Sequence, residues 1–566
     1  MMTKQCNFLI YIPRMHLESS DPAAHISILR DELIPHNFIL VALAGSKELS
    51  AVDQIHSQLL AIYNWNGLLK LGCLNMFSHK GLFGSLWLAL CLPVLVNALI
   101  LNRGVNDPFY QPEDGWKNKE PGDILRWREI HPKFIGGNFN VASAYQLLYR
   151  TSQNTPDQPD HTVTTILVPH NAKKNSLVVG SVAQDANGKQ CTPSAGYTYN
   201  SQTNVVFMLD ETFFLQYLQE GYTMTIPDKE GPKNAFAAGR MEGYMTLDAI
   251  RATLAFSKLG LSKNTKVAGY GYSGGSITLG WASALKPVYA PELNVIGWAY
   301  GGTPSNLSGT VEKLDDTIFA GLVAAGIAGV SDVYPEVQSY LKKVLTPTGK
   351  KALQFCREHC LADIILKFPF ESFKTTKYQN RGPDVFKNAA VQKMFTELTM
   401  GLKSHETPDA PVYMYHGQQD EIIPYGDAMK TAKAWCRNGA QIQFMSYSHP
   451  EMGHFVTEIT GSVPAFHFIR DRFNNKELPS GCHFKTSDTL VFKPETLGGN
   501  AEEIIDAILS VFGHHIGPEA NVLAAKKTII KRGNDNTVTE YQTSEQNIAL
   551  ERHMAKRSKT LVINSN

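Results

Sequence analysis

From about Ala142 onward, short runs rich in Val, Ile and Thr alternate with stretches whose apolar residues recur every three or four positions. Residues 162–169 (TVTTILVP), 175–183 and 221–227 predict strands. Residues 237–259 predict an amphipathic helix. Residues 266–272 (KVAGYGY) predict a strand running into a glycine turn, with a helix over 276–286 leaving it and the next strand over 294–301. The strand pattern returns at 411–417 (PVYMYHG) and 441–448 (QIQFMSYS). Strands and helices in alternation predict an α/β fold with a mainly parallel central sheet. Between two of the strands, residues 307–406 turn helical, apolar and rich in small residues. They read as a helical cap inserted above the sheet, within a domain spanning 99–514.

The same pattern sets the ends apart. From Met76 a short segment carrying Lys80 leads into an apolar stretch and then Val96-Asn97-Ala98, which predicts a secretory signal peptide over 76–98. The alternative is a signal anchor, but Pro93 and the early return of polar residues favour cleavage. Residues 1–75 therefore read as an upstream extension, either from a start codon placed too early or disordered, although HISILRDELI within them looks helical. Residues 515–566 are polar, weakly periodic and expected to be poorly ordered.

Composition narrows the class. Hydrophobic residues make up 43% of the 566, enough for a large core. Lys and Arg number 53 against 52 Asp and Glu, so neither nucleic acid nor an anionic membrane is expected as the main partner. Beyond the signal segment lie Cys191, Cys356, Cys360, Cys436 and Cys482. Five thiols allow at most two bridges and leave one over, and their spacing suits no zinc site. Asn306-Leu307-Ser308 is a possible glycosylation acceptor at Asn306 in a secreted chain.

Candidate chemistry centres on residues 267–276, VAGYGYSGGS. Gly269, Gly271 and Gly274 spell G-x-G-x-x-G, the dinucleotide fingerprint, while Gly271, Ser273 and Gly275 spell G-x-S-x-G, the nucleophile elbow. The dinucleotide reading implies an oxidoreductase. It needs its glycines at the first strand and an acid near the end of the next one, yet several strands precede this turn and Glu292 lies before the next strand. The elbow reading predicts an α/β-hydrolase fold in which Gly271 and Gly275 make room for Ser273. A serine needs a histidine to take its proton and a carboxylate to orient that histidine. Asp420 falls in the loop beyond the strand ending at His416, and His454 in the loop after the following strand, giving the order Ser, Asp, His.

Neighbouring residues compete for these roles. Asp427 reads as a helix cap, Glu421 as facing away from the site, His449 as a turn residue before Pro450, and His416 as an interior histidine. The oxyanion hole needs two donors, one being the backbone N–H of Gly274. Asp185, after an earlier strand, is a candidate for the other, or a simple turn former.

With these residues in place, the chain resembles the fungal secretory lipase family of the yeast lipase A type. The likeness runs from about Asp107 to Gly499 through AYQLLYRTSQNTPDQPDHTVTTILVP, QCTPSAGY, DKEGPKNAFAAGRMEGYMTLDAIRA, GYSGGS, YAPELNVIGWAYGGTP and DEIIPY. The resemblance implies a secreted, metal-free and cofactor-free triacylglycerol lipase with a triad of Ser273, Asp420 and His454. It assigns Asp185 to the oxyanion hole as a protonated carboxyl. It also implies bridges Cys191–Cys360 and Cys436–Cys482, with Cys356 left free. The expected partner is a lipid ester at an oil–water interface, met by a monomer without stable membrane insertion. A carboxylesterase of shorter esters and a serine peptidase are the alternatives on the same fold.

Overall fold

The structure is a computed structural model that describes residues 107–488, except 135–136, 139 and 200–204, together with two short strands nearer the start. The signal segment over 76–98, most of 1–75 and the tail over 515–566 lie outside the described residues. Within the first unit, residues 1–100, β1 (Ile26–Ile28) pairs antiparallel with β2 (Val41–Leu43). The helical reading at residues 26–28 is thereby corrected: Ile-Ser-Ile alternates apolar and polar, the period of a strand.

The second unit is built on one ten-stranded sheet. In chain order its strands are β3 (Ile124–Glu129), β6 (Ser143–Ser152), β7 (Pro159–Val168), β8 (Ser176–Ser181), β9 (Thr223–Pro227), β10 (Lys266–Tyr272), β11 (Val295–Gly301), β12 (Val412–Gly417), β13 (Ile442–Tyr447) and β14 (His483–Ser487). A separate two-residue hairpin, β4 (Lys133–Phe134) with β5 (Gly137–Asn138), follows β3. The sheet order is β14-β13-β12-β11-β10-β8-β9-β7-β6-β3. From β9 to β14 the neighbours run parallel, and β7, β6 and β3 extend the sheet antiparallel.

All the strands expected from the sequence are present, and β3, β6 and β14 are added. β6 escapes an alternation test because its polar residues are as buried as its apolar ones. Gln146 is wholly buried, and its amide donates to the Ser194 carbonyl at 2.8 Å. Such a residue is tolerated inside only because the fold supplies partners.

Helices cover both faces. They are α1 (Pro193–Tyr199), α2 (Val205–Gln219), α3 (Gly239–Ala255), α4 (Gly274–Tyr289), then the cap helices α5 (Leu307–Leu314), α6 (Gly321–Val333), α7 (Pro335–Val344), α8 (Pro347–Glu358), α9 (Leu361–Lys367) and α10 (Ala389–Glu397), and finally α11 (Tyr425–Arg437) and α12 (His454–Phe473). α3, α4, α11 and the cap share one core, while α2 and α12 fill the other face. The cap lies between β11 and β12, as its sequence position requires.

The cap is more broken than the pattern implies. Pro335 forces Tyr334 to an extended φ of −115° and ψ of 92°, which separates α6 from α7. Cys360 leaves the helical path for its bridge to Cys191, which separates α8 from α9. That bridge joins the loop after β8 to the cap. The second bridge, Cys436–Cys482, joins the end of α11 to the start of β14, and Cys356 is buried and free. Among the described residues no helix is long and apolar enough to cross a membrane.

Candidate active site

Ser273, Asp185, Asp420 and His454 follow the carboxyl ends of the parallel strands β10, β8, β12 and β13. β10 ends in a turn at Ser273, whose φ of 51° and ψ of −121° are costly for a residue with a side chain. The flanking glycines make this turn possible. A Cβ at Gly275 would collide with the Ser181 carbonyl oxygen, and one at Gly271 would lie 2.8 Å from the same atom. Gly269 sits inside β10 against the Trp298 ring, so its match to the dinucleotide fingerprint reflects strand packing.

Ser273 meets His454 directly: Oγ lies 2.8 Å from Nε2. The other ring nitrogen, Nδ1, is 2.7 Å from Asp420 Oδ2. Asp420 Oδ1 in turn accepts the backbone N–H groups of Ile422 at 2.9 Å and Ile423 at 2.7 Å. The sequence places His454 in a loop; it opens α12 instead, with Gly453 as the cap residue. His416, at the end of β12, is an interior histidine as expected, but its Nε2 also approaches Asp420 Oδ2 at 3.2 Å.

The electrostatics follow from these contacts. Burial pushes the Asp420 carboxyl up, but the imidazoles of His454 and His416 reverse this and hold it well below the usual carboxylate range. Burial disfavours the His454 imidazolium, yet the charge of Asp420, followed by Glu421 and Asp185, raises it above the ordinary histidine value. A histidine oriented on one nitrogen by an ionised carboxylate and touching a serine on the other is arranged to take that serine's proton.

Asp185 occupies the opposite side of Ser273. It is non-glycine at a φ of 49° and is 6% exposed. Its Oδ1 stands so close over Gly274 that a Cβ there would collide with it. Burial raises its carboxyl to about 6, despite the opposing pull of Lys229. Gly274 begins α4, so its N–H is one of the terminal donors that a helix leaves unpaired. The loop carrying Asp185 is held from below, with the Ala183 N–H donating to Asp210 Oδ2 at 2.8 Å and the Asn187 amide to the Asn234 carbonyl at 2.8 Å.

Two readings of the competing residues change. Glu421 does not face away; its Oε2 accepts the backbone N–H of His454 at 2.8 Å. Asp427 lies in the first turn of α11 without capping it, and its Oδ2 accepts from Asn306 Nδ2 at 3.1 Å. The nitrogen that a glycan would take is thus hydrogen-bonded to that carboxylate at a half-buried position. His449 forms the turn, its carbonyl accepting from the Met452 N–H at 2.9 Å. The adjacency of Glu421 to Asp420 was the one signal for its part, whereas nothing local marks Asp210 or Lys229.

A pocket runs from Ser273, Gly274 and Asp185 into the cap. Beyond that polar mouth its walls are apolar apart from Thr310, with Val330 and Leu341 from the cap helices and Val391 and Phe395 from α10. Ile422 and Ile423 serve twice, their N–H groups on Asp420 and their side chains on the pocket wall. Among the described residues no group of three or more His, Cys, Asp and Glu is placed to hold a metal ion.

Residues 198–481 match the family model described as secretory lipase. The chain is 71% identical to a secreted triacylglycerol lipase of Malassezia furfur, over 81% of its own length and 94% of that protein. It is 45% identical to one of Malassezia globosa, over 75% of its length and 93% of the relative. Among solved structures, the closed state of Candida antarctica lipase A superposes with a TM-score of 0.65 at 29% identity, covering 73% of this chain and 98% of that one.

Proposed function

The chain belongs to the secretory lipase family, and from that premise we propose that it is a secreted triacylglycerol lipase working through an acyl-enzyme on Ser273. The observation carrying the reading is the Ser273–His454–Asp420 relay at the mouth of an apolar pocket.

The fatty chain of the substrate lies in the pocket under the cap, where apolar walls favour it at roughly 0.8 kcal/mol per buried methylene. Ser273 Oγ attacks the ester carbonyl carbon as His454 Nε2 takes its proton. Negative charge then gathers on the carbonyl oxygen, facing the Gly274 N–H and the Asp185 carboxyl. Asp185 donates there only while protonated, since a carboxylate would repel the oxyanion. The tetrahedral adduct collapses, the C–O bond to glycerol breaks, and His454 returns the proton to the leaving diacylglycerol oxygen. Water enters, gives its proton to His454 and attacks the acyl carbon. Collapse of this second adduct releases the fatty acid and restores Ser273.

Asp420 stays ionised throughout, holding the imidazole in one tautomer and stabilising its cation. An acidic anchor for a peptide amine would favour a peptidase, and the one carboxyl on the described pocket wall is Asp185, beside the reacting oxygen. The test is hydrolysis of triacylglycerols and p-nitrophenyl esters of graded chain length by the purified protein. Rates are expected to rise from short toward long chains. Activity confined to the shortest esters would make the protein a carboxylesterase, and none at any length would overturn the reading.

A further inference from the structure

Asp420 and Glu421 are consecutive, yet their carboxylates grip opposite ends of the same residue. Asp420 holds the His454 ring at Nδ1, 2.7 Å away, while Glu421 Oε2 accepts the His454 backbone N–H at 2.8 Å. Because His454 opens α12, that N–H has no partner within the helix, and a carboxylate there also meets the positive end of the helix dipole. On the far side of the residue, Tyr272 Oη donates to the His454 carbonyl at 2.8 Å. The backbone of the histidine is therefore held at both its N–H and its C=O.

The residue before it is fitted to this contact. A Cβ on Gly453 would lie 2.5 Å from Glu421 Oε2, so a side chain there displaces the carboxylate. The backbone of Gly453, at φ −70° and ψ −173°, suits any residue. Glycine is needed at 453 for space and not for conformation.

We propose that Glu421 is a positioning residue that pins the backbone of His454 so that Nε2 stays on Ser273 Oγ. The proposal rests on the reading of His454 as the general base. Its second consequence is electrostatic. The charged or titratable groups facing His454 are Asp420 and Glu421 from the loop after β12, Asp185 from the loop after β8 and Tyr272 from β10. His416 lies beyond Asp420, and Glu458 one turn along α12. Of these, Glu421 can be neutralised without touching the serine, the oxyanion side or the ring's own carboxylate.

Three variants separate its charge, its hydrogen bond and its space. Glu421→Gln keeps an acceptor oxygen and removes the charge that favours the imidazolium. It is expected to keep most of kcat while the acid limb of kcat/KM moves to lower pH. Glu421→Ala removes the hold itself; kcat is expected to fall about 10- to 100-fold, the scale of a small misplacement of a reacting group, with KM within about twofold. Gly453→Ala is expected to reproduce the loss of Glu421→Ala, and the two together to lose no more than one alone. A serine-directed phosphonate counts active sites in every preparation, so that folded enzyme is compared with folded enzyme. If the phosphonate fails to label Ser273 in the unaltered protein, the reading of the nucleophile falls and this proposal with it. If labelling is complete but Glu421→Ala keeps full kcat, or Glu421→Gln leaves the acid limb in place, the positioning role alone is overturned. Should Glu421→Ala fail to fold, the Glu421→Gln profile and the Gly453→Ala rate decide the question.

Discussion

Ser273 stands between two buried aspartates that their surroundings drive in opposite directions. Asp420 receives two backbone N–H groups and the His454 ring, with His416 close by, and its carboxyl is held well below the usual range. Asp185 Oδ1 has no hydrogen-bond partner among the described residues, and burial lifts its carboxyl to about 6. Burial alone therefore does not decide charge. A buried carboxyl ionises readily where donors converge on it and keeps its proton to higher pH where they do not. While Asp185 holds its proton, below about pH 6, the two sides offer complementary chemistry, a fixed negative charge behind the base and a proton donor beside the developing oxyanion.

That contrast is broken most severely on the Asp420 side. Asp420→Asn keeps the shape but loses the charge and misdirects the histidine tautomer, so kcat is expected to fall by about 10⁴. Steady-state kinetics with a soluble ester measures it; a loss under tenfold would show that Asp420 does not orient the base.

On the other side the expected effects are smaller and depend on pH. Asp185→Ala removes one oxyanion donor and should lower kcat by about 10²–10³. Asp185→Asn keeps an N–H donor at every pH, so its plateau rate should stay within about tenfold of the original. The sign of the pH dependence follows from which form is active. His454 must be neutral to accept a proton, so activity is gained as pH rises through its raised value. Asp185 must be protonated to donate, so activity is lost as pH rises through about 6. Because the rise is displaced above the ordinary histidine range and the fall sets in near 6, the two limbs overlap and the profile of kcat/KM should be a narrow bell. In Asp185→Asn the alkaline fall should disappear while the acid limb remains. An alkaline fall unchanged by the substitution would assign it to another group.

How far the sequence disclosed all this depended on how local each feature is. The elbow was legible because strand, glycines, serine and helix occupy one short stretch around Gly271 and Gly275, whose crowding against Ser181 admits no side chain. Asp420 and His454 were legible by their order after successive strands. Asp185 carried no signal of its own beyond a loop after β8, because the burial that raises its carboxyl is assembled from distant segments. Glu421 was misread because side chains of adjacent residues were assumed to diverge to different partners, whereas both reach His454. In the cap, apolar periodicity continued across Pro335 and Cys360 and concealed two breaks, one set by proline sterics and one by a disulfide to a residue 169 positions away.

The central claim, that Ser273 is the nucleophile of an ester hydrolase, is tested most directly by comparing Ser273→Ala with the unaltered protein. Hydrolysis of a long-chain p-nitrophenyl ester and covalent labelling by a serine-directed phosphonate would be measured together. One phosphonate per chain is expected, attached at Ser273. In the variant, kcat is expected to fall by at least about 10⁴ and no labelling to occur. Hydrolysis by Ser273→Ala within tenfold of the unaltered protein, or phosphonate attached elsewhere with activity lost, would contradict it.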